Sequence, residues 1–463
     1  MTTVTAPPEL VHVDALGPNG AFRARNRITV NDVAGDPTVE LSLVPRLFVR
    51  RSLAALHAAG TMPADERAAA LARAGRIFVD DAVDGLPFDR YVYLVSRISG
   101  MPISVVREAA QGIGRAAVET YRAAYCARPT AAVTDWRDPR THRGAAVWTR
   151  RGDVFAVHAA GNHPGVHTLW LEALALGYRV AVRPSQREPL TPHRLILALR
   201  AAGFGEDQVV LLPTDHDVAD DIIDGADLAM VYGGDAVVNK YGHSARVLPQ
   251  GPGRSKILVT GDAWRDHLDM IVESVSSRGA TACVNTTAVL VEGDPAPLAE
   301  ALADRLATMP SLPPEDEKAA LPVHPVASAR ALEQFLLARA DGATAWLGGD
   351  GVVEELGDGS AVLRPAVHQV DRADAPQIGV ELPFPCVWVA PWSYEDGIAP
   401  LRNTLVLTAV TDDAALVDRL LQEPTITNVY LGDTPTVFLE PGIPHDAYLG
   451  EFLMRTKAVA RTV

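Results

Sequence analysis

Val154-Phe155-Ala156-Val157-His158-Ala159-Ala160-Gly161-Asn162-His163-Pro164-Gly165 opens as a short apolar strand and breaks at its end into a polar, Gly- and Pro-containing loop. A helix is predicted behind that loop, through Trp170 to Leu176. The alternation then continues. Tyr178-Arg179-Val180-Ala181-Val182 reads as a strand ending in Arg183-Pro184-Ser185, with a helix over 191–202. Val209-Val210-Leu211-Leu212 follows, then a helix over 216–224. Leu228-Ala229-Met230-Val231-Tyr232 is a further strand, ending in Gly233-Gly234. Strands alternating with helices of this length predict an α/β, doubly wound parallel sheet. Ligands of such sheets sit beyond the carboxyl ends of the strands, where these three loops lie.

Downstream, Pro249-Gln250-Gly251-Pro252-Gly253 interrupts the pattern, and a second α/β unit starts with Lys256-Ile257-Leu258-Val259-Thr260. Helices are predicted over 266–276, 296–308 and 327–340, and the unit boundary near Gly251. Upstream, helical spacing covers 63–82, where Ala68, Leu71, Ala74 and Ile77 share a face, and 103–125. Arg27-Ile28-Thr29-Val30 and Val39-Glu40-Leu41-Ser42-Leu43 look like short strands. The polar stretch 129–150 reads as a hairpin arm. Neither an internal repeat nor a low-complexity segment is visible.

The 463 residues suffice for two or three domains with a large core. A 48% hydrophobic content places the chain among globular proteins. The net charge of −15, with no basic cluster to offset it, argues against a nucleic-acid surface. Three cysteines over this length make no disulfide framework, which predicts a reducing cytoplasm. The first residues lack the basic and apolar regions of a signal peptide. No run approaches the roughly 20 apolar residues of a membrane span.

Cys283 lies in Ser277-Arg278-Gly279-Ala280-Thr281-Ala282-Cys283-Val284-Asn285, just before the strand-like Ala288-Val289-Leu290-Val291. A thiolate attacks carbonyl carbon with less activation than a serine hydroxyl requires. A free cysteine is more often a small buried hydrophobe; Cys126 and Cys386 are read as structural. His158, His163 and His167 surround the Asn162 loop. Their spacing across strand, loop and helix matches no recognised ligand set, so no metal is expected.

Gly161-Asn162-His163-Pro164, the stretch from Leu174 to Ser185, Tyr232-Gly233-Gly234, Gly253-Arg254-Ser255, the Cys283 segment and Glu381-Leu382-Pro383-Phe384-Pro385 occur in one order. Together, over roughly residues 60 to 463, they resemble the aldehyde dehydrogenase superfamily. The resemblance implies a Rossmann-type nucleotide-binding domain (1–128 and 151–250) and an α/β catalytic domain (251–439). It also implies a bridging oligomerisation arm (129–150 and 440–463) and a homodimer or homotetramer. Cys283 would be the nucleophile, and the Asn162 amide with the Cys283 N–H would hold the oxyanion. Arg183, Ser185, Gln186, Arg187, Gly233, Gly234, Glu381 and Phe384 would contact a nicotinamide dinucleotide. The family often carries a glutamate where Gln186 stands. Its loss, with Arg183 and Arg187 nearby, tilts the cofactor toward NADP(H) over NAD(H). Asp235 is out of place beside a phosphate, and the Glu381–Phe384 spacing is one residue longer than usual.

A more consequential departure is Gln250. Hydrolytic members carry there the glutamate that activates water against the acyl-cysteine. Glutamine takes up no proton near neutrality, and a positioned base is worth about 10²–10⁴ in rate. The expected activity is therefore NAD(P)H-dependent reduction of an activated acyl group, a CoA or carrier-protein thioester, to an aldehyde, or the reverse acylating oxidation. This is the character of the acylating or acyl-CoA reductase branch. One alternative is oxidation of an aldehyde to its acid with a base from elsewhere, such as Glu273. Another is a catalytically silent scaffold. The acyl group, and whether an acyl phosphate replaces the thioester, are not legible in the residues.

Overall fold

The computed structural model describes residues 10–440 and 442–461. Its first sheet has seven strands in the order Val247–Gln250, Leu228–Tyr232, Val154–His158, Arg179–Arg183, Val209–Leu211, Ala15–Gly17 and Gly20–Phe22. The first five run parallel; Ala15–Gly17 joins antiparallel. Both faces are buried, so alternate residues of one strand enter different cores. Phe155 and Val157 pack with the helices Ala64–Asp80, Ile103–Ala124 and Leu190–Ala201. Val154 and Ala156 pack with Arg46–Ala58 and His216–Asp224. This two-sided burial is why the strands read as unbroken apolar runs.

The second sheet also has seven strands, in the order Thr344–Leu347, Ala366–Gln369, Cys386–Trp392, Thr286–Glu292, Ser255–Val259, Thr404–Val410 and Ile426–Leu431. All neighbours are parallel except the outermost pair, Thr344–Leu347 with Ala366–Gln369. Leu258 and Leu290 face the helices Val326–Arg339 and Ala414–Gln422. Ile257 and Val289 face Leu268–Ser276 and Ala296–Ala307. Chain order reverses in each sheet. In the first it does so between Leu228–Tyr232 and Val154–His158, the kind of switch point at which a crevice opens.

The short strands expected over 27–30 and 39–43 are present, and residues 10–22 add to them. Val11–Val13, Pro37–Ser42 and Arg27–Asn31 form a small sheet, and Ala15–Phe22 extends the first large one. The stretch 129–150 is not a hairpin on itself, as its two strand-like ends had suggested. Pro139–Arg143 is a short helical turn capped by Asp138. The strand after it, Ala145–Arg150, pairs antiparallel with Met454–Val459 from the other end of the chain. Helices Arg46–Ala58 and Phe88–Ser99, absent from the sequence reading, complete the packing.

Glu172, on the helix Leu171–Ala175 behind the Asn162 loop, has Oε2 shut off from solvent with no hydrogen-bond partner. Burial raises its carboxyl from 4.5 to about 7. Between those values the folded chain binds the extra proton, so stability falls as pH rises through this window and stays reduced above it. Glu172→Gln is expected to abolish that fall and to gain roughly 2 kcal/mol above neutrality. Urea unfolding on both sides of the window measures it.

Candidate active site

A cleft of about 900 Å³ separates the carboxyl edge of the first sheet from the amino edge of the second. One wall is made by loops that follow strands: Ala159 to Asn162, Ser185 and Arg187, Gly233 to Asp235, and Gln250. The other is made by segments that precede strands: Arg254, Ala280 to Cys283, and Glu381 to Phe384. The two topologies thus point their loop-bearing ends at one another, and the volume suits a small-molecule or cofactor site.

Cys283 is half-buried on this wall. Arg278, Gly279 and Ala280 all have positive φ (57°, 64° and 52°), turning the chain sharply at the end of the preceding helix. Such backbone costs on the order of 1–3 kcal/mol at each non-glycine residue, so the loop must be held. Asn285 holds it. Its Oδ1 accepts from Ala282 N–H at 3.1 Å, and its Nδ2 donates to the carbonyls of Ser274 (3.2 Å) and Ser277 (2.9 Å). Ser255 Oγ donates to the Cys283 carbonyl at 3.0 Å. Gly253 lies against the same carbonyl, where any Cβ would stand 1.7 Å from the oxygen. That contact explains a glycine two residues before the strand Ser255–Val259.

Asn162 reaches this loop from the first sheet, donating from Nδ2 to the Thr281 carbonyl at 2.8 Å. An amide nitrogen carries two protons, so one remains for an oxyanion beside Cys283. On the other side of the sulfur stands a pair that sequence reading missed. Cys283 Sγ is 3.4 Å from His445 Nε2, and His445 Nδ1 is 2.5 Å from Asp446 Oδ2. Asn428 Nδ2 donates to the His445 carbonyl and to that of Leu405 (3.1 Å), fixing the loop to the second sheet. Partial burial works against an imidazolium here. Its contacts with Cys283 Sγ and the Asp446 side chain outweigh it, and His445 is held well above its ordinary value. A separation of 162 residues hides this arrangement. The only local signal is a His-Asp step in a Gly- and Pro-rich loop.

The remaining candidates divide into those that line the cleft and those behind it. Gly233 and Gly234 line it, and a Cβ on Gly234 would meet nothing within 4 Å. Asp235 does not face the cleft with an unbalanced charge. Arg254 donates to its two oxygens at 2.6 and 2.8 Å. Glu381 accepts from Arg254 N–H at 2.9 Å, and the buried Phe384 lines the cleft with it despite the longer spacing. Ser185 and Arg187 line it too. Arg183 and Gln186 do not: Arg183 is buried and donates to Thr214 Oγ1 (2.9 Å) and O (3.1 Å), and Gln186 Nε2 donates to the same carbonyl (3.3 Å). An open, glycine-lined turn near a neutralised Asp235, with Glu381 and Phe384 on the wall that carries Cys283, fits a nicotinamide dinucleotide.

Gln250 is buried at the end of its strand and lines the cleft. Glu273 is exposed on the helix Leu268–Ser276 and does not line it. His158, His163 and His167 are buried, and burial lowers each to about 3, so they stay neutral. Among the described residues no group of three or more His, Cys, Asp or Glu side chains could hold a metal ion, and no helix is long and apolar enough to cross a membrane. Cys386 is buried, which pushes its thiol up, and Cys126 is exposed.

The aldehyde dehydrogenase family model matches residues 46–441. No curated protein matches the chain. Among solved structures, an NAD-dependent aldehyde dehydrogenase from Sinorhizobium meliloti is similar at 17% identity, over 100% of this chain and 97% of the other, with a TM-score of 0.84. An indole-3-acetaldehyde dehydrogenase in complex with NAD+ is similar at 16% identity, over 97% of each chain, with a TM-score of 0.83. An NADP-dependent enzyme from E. coli is similar at 16% identity, over 97% of this chain and 98% of the other, with a TM-score of 0.81. At such identities the likeness concerns the fold.

Proposed function

The chain belongs to the aldehyde dehydrogenase family, and from that premise we propose that it interconverts an acyl thioester and an aldehyde through an acyl group carried on Cys283. The observation behind this reading is Gln250, buried in the cleft where a hydrolytic enzyme needs a carboxylate. Its amide can hydrogen-bond to a water but cannot take the water's proton.

Gly233, Gly234, Ser185, Arg187, Glu381 and Phe384 are the residues that would hold the cofactor, with Arg183 and Gln186 tying the loop beneath to Thr214. A reduced nicotinamide bound there supplies the hydride that turns an acyl group into an aldehyde. The chain does the rest. Cys283 displaces the thiol and keeps the acyl group. The free proton of the Asn162 amide and the Cys283 N–H hold the oxyanion; losing one such donor costs about 10²–10³ in rate. We favour NADP(H) over NAD(H), because Arg187 lines the cleft and no acidic residue stands at 186. The thiol partner is CoA or a carrier protein. We assign nucleotide binding to 1–128 and 151–250, and catalysis to 251–439. The strand pair Ala145–Arg150 and Met454–Val459, within 129–150 and 440–463, is then the arm joining a homodimer or homotetramer. A reducing cytoplasm would keep the three thiols free.

A second reading is oxidation of a free aldehyde to its acid, and His445 favours it, since an imidazole beside Cys283 offers another base. Nicotinamide absorbance separates the two. Thioester reduction predicts that acyl-CoAs oxidise NADPH and that aldehydes reduce NADP+ only with CoA present. Vigorous aldehyde oxidation without CoA would establish the second reading instead.

A further inference from the structure

Cys283 lies on a loop of the catalytic half, whereas His445 and Asp446 lie in the 440–463 segment, ahead of the arm strand Met454–Val459, and nothing in the family resemblance required the last two. The sulfur-to-Nε2 distance of 3.4 Å and the Nδ1-to-carboxylate distance of 2.5 Å place the three groups in series. His445 is not filling a gap in the core; it is half-buried and lines the cleft with Asp446. Asn428 fixes its backbone, and Tyr448 Oη donates to the Gly442 carbonyl at 2.9 Å, closing the loop on itself.

We infer that His445 is the acid–base residue of Cys283, oriented by Asp446, and that it carries the proton exchanged between the cleft's thiols. The inference rests on Cys283 being the nucleophile, as proposed above. In acylation the Cys283 thiolate forms a bond to the thioester carbon, and the bond from that carbon to the departing sulfur breaks. Nε2–H gives its proton to that sulfur, so the products are acyl-Cys283, a free thiol and a neutral imidazole. The reverse returns the proton from the incoming thiol to Nε2. No electrons change hands, and the step needs no nicotinamide. Asp446 is a positioning residue: its carboxylate directs the other ring proton and leaves Nε2 facing the sulfur, the geometry of a nucleophile, a base and an orienting group.

The other charged or titratable groups near the pair are few. Tyr232 approaches both Asp446 and Cys283, and Arg278 approaches Cys283. Tyr232 Oη is committed to the Val166 carbonyl and Arg278 Nη2 to that of Val437. Glu108 and Glu273 act on Arg278 rather than on His445.

The test uses the full chain in a Cys126→Ser background, which removes the exposed thiol. Iodoacetamide alkylation of Cys283 is timed across a pH series, without substrate or cofactor. Thiolate is the reacting species, so His445→Gln should slow alkylation about tenfold or more below neutrality and move its pH profile upward. Asp446→Asn should shift the profile in the same direction by less. Intact-mass measurement of acyl-enzyme formed from acetyl-CoA or octanoyl-CoA should show a parallel loss. Added imidazole should restore part of the rate to His445→Ala, which a merely structural defect would not allow. Unchanged alkylation and profile in His445→Gln would overturn the inference. A His445-dependent profile with no acylation by either thioester would keep His445 as the acid–base residue of Cys283 and overturn both the thiol exchange and the thioester reading.

Discussion

Cys283→Ala is expected to lose turnover by on the order of 10⁴-fold or more while keeping nicotinamide binding. The argument is geometric. The side chain's hydrogen-bond contact in the protein is with His445. The loop around it is held by Asn285, Ser255 and the Gly253 approach, none of which uses the sulfur. Removing the thiol therefore deletes the group that would carry the acyl intermediate and leaves the cleft standing. Turnover with each substrate, beside a fluorescence titration of NADPH, checks both halves. Binding kept with no loss of turnover would show that the chemistry lies elsewhere.

Gln250→Glu is expected to raise CoA-independent conversion of an aldehyde to its acid by about 10²-fold or more. Gln250 ends a strand of the first sheet and lines the cleft opposite the Cys283 loop. A carboxylate there could take the proton of a water attacking the acyl-cysteine. The burial of position 250 would raise that carboxyl toward neutrality, where a general base works best. Acid formation by the variant, with and without CoA, is the measurement. If the wild type already makes acid as fast, position 250 does not control the fate of the acyl group. The His445 imidazole would then be the base in use.

Much of this molecule could be read along the chain, because apolar strands buried on both faces leave continuous runs such as Val154 to Val157, and helices leave a repeating stripe. The parallel sheets follow from that alternation. Residues 10 to 60 were legible only as fragments. Strands as short as Ala15–Gly17 bury few residues each and take their place from the sheet they join. The arm was half legible: 129–150 shows strand-like ends and the resemblance sets it with 440–463, but the pairing of Ala145–Arg150 with Met454–Val459, about three hundred positions on, is a tertiary contact.

The site divides in the same way. The chain alone pointed to Cys283 as candidate nucleophile, to the Asn162 amide, to the glycine turn at 233–234 and to a glutamine at 250, and the fold lines one cleft with all of them. Only the tertiary structure decided which neighbours complete them. It turned Arg183 inward to Thr214, set Arg254 against Asp235, and brought His445 and Asp446 to the sulfur of Cys283. Those choices depend on where two sheets meet, and a contact formed by packing leaves no periodicity for the chain to display.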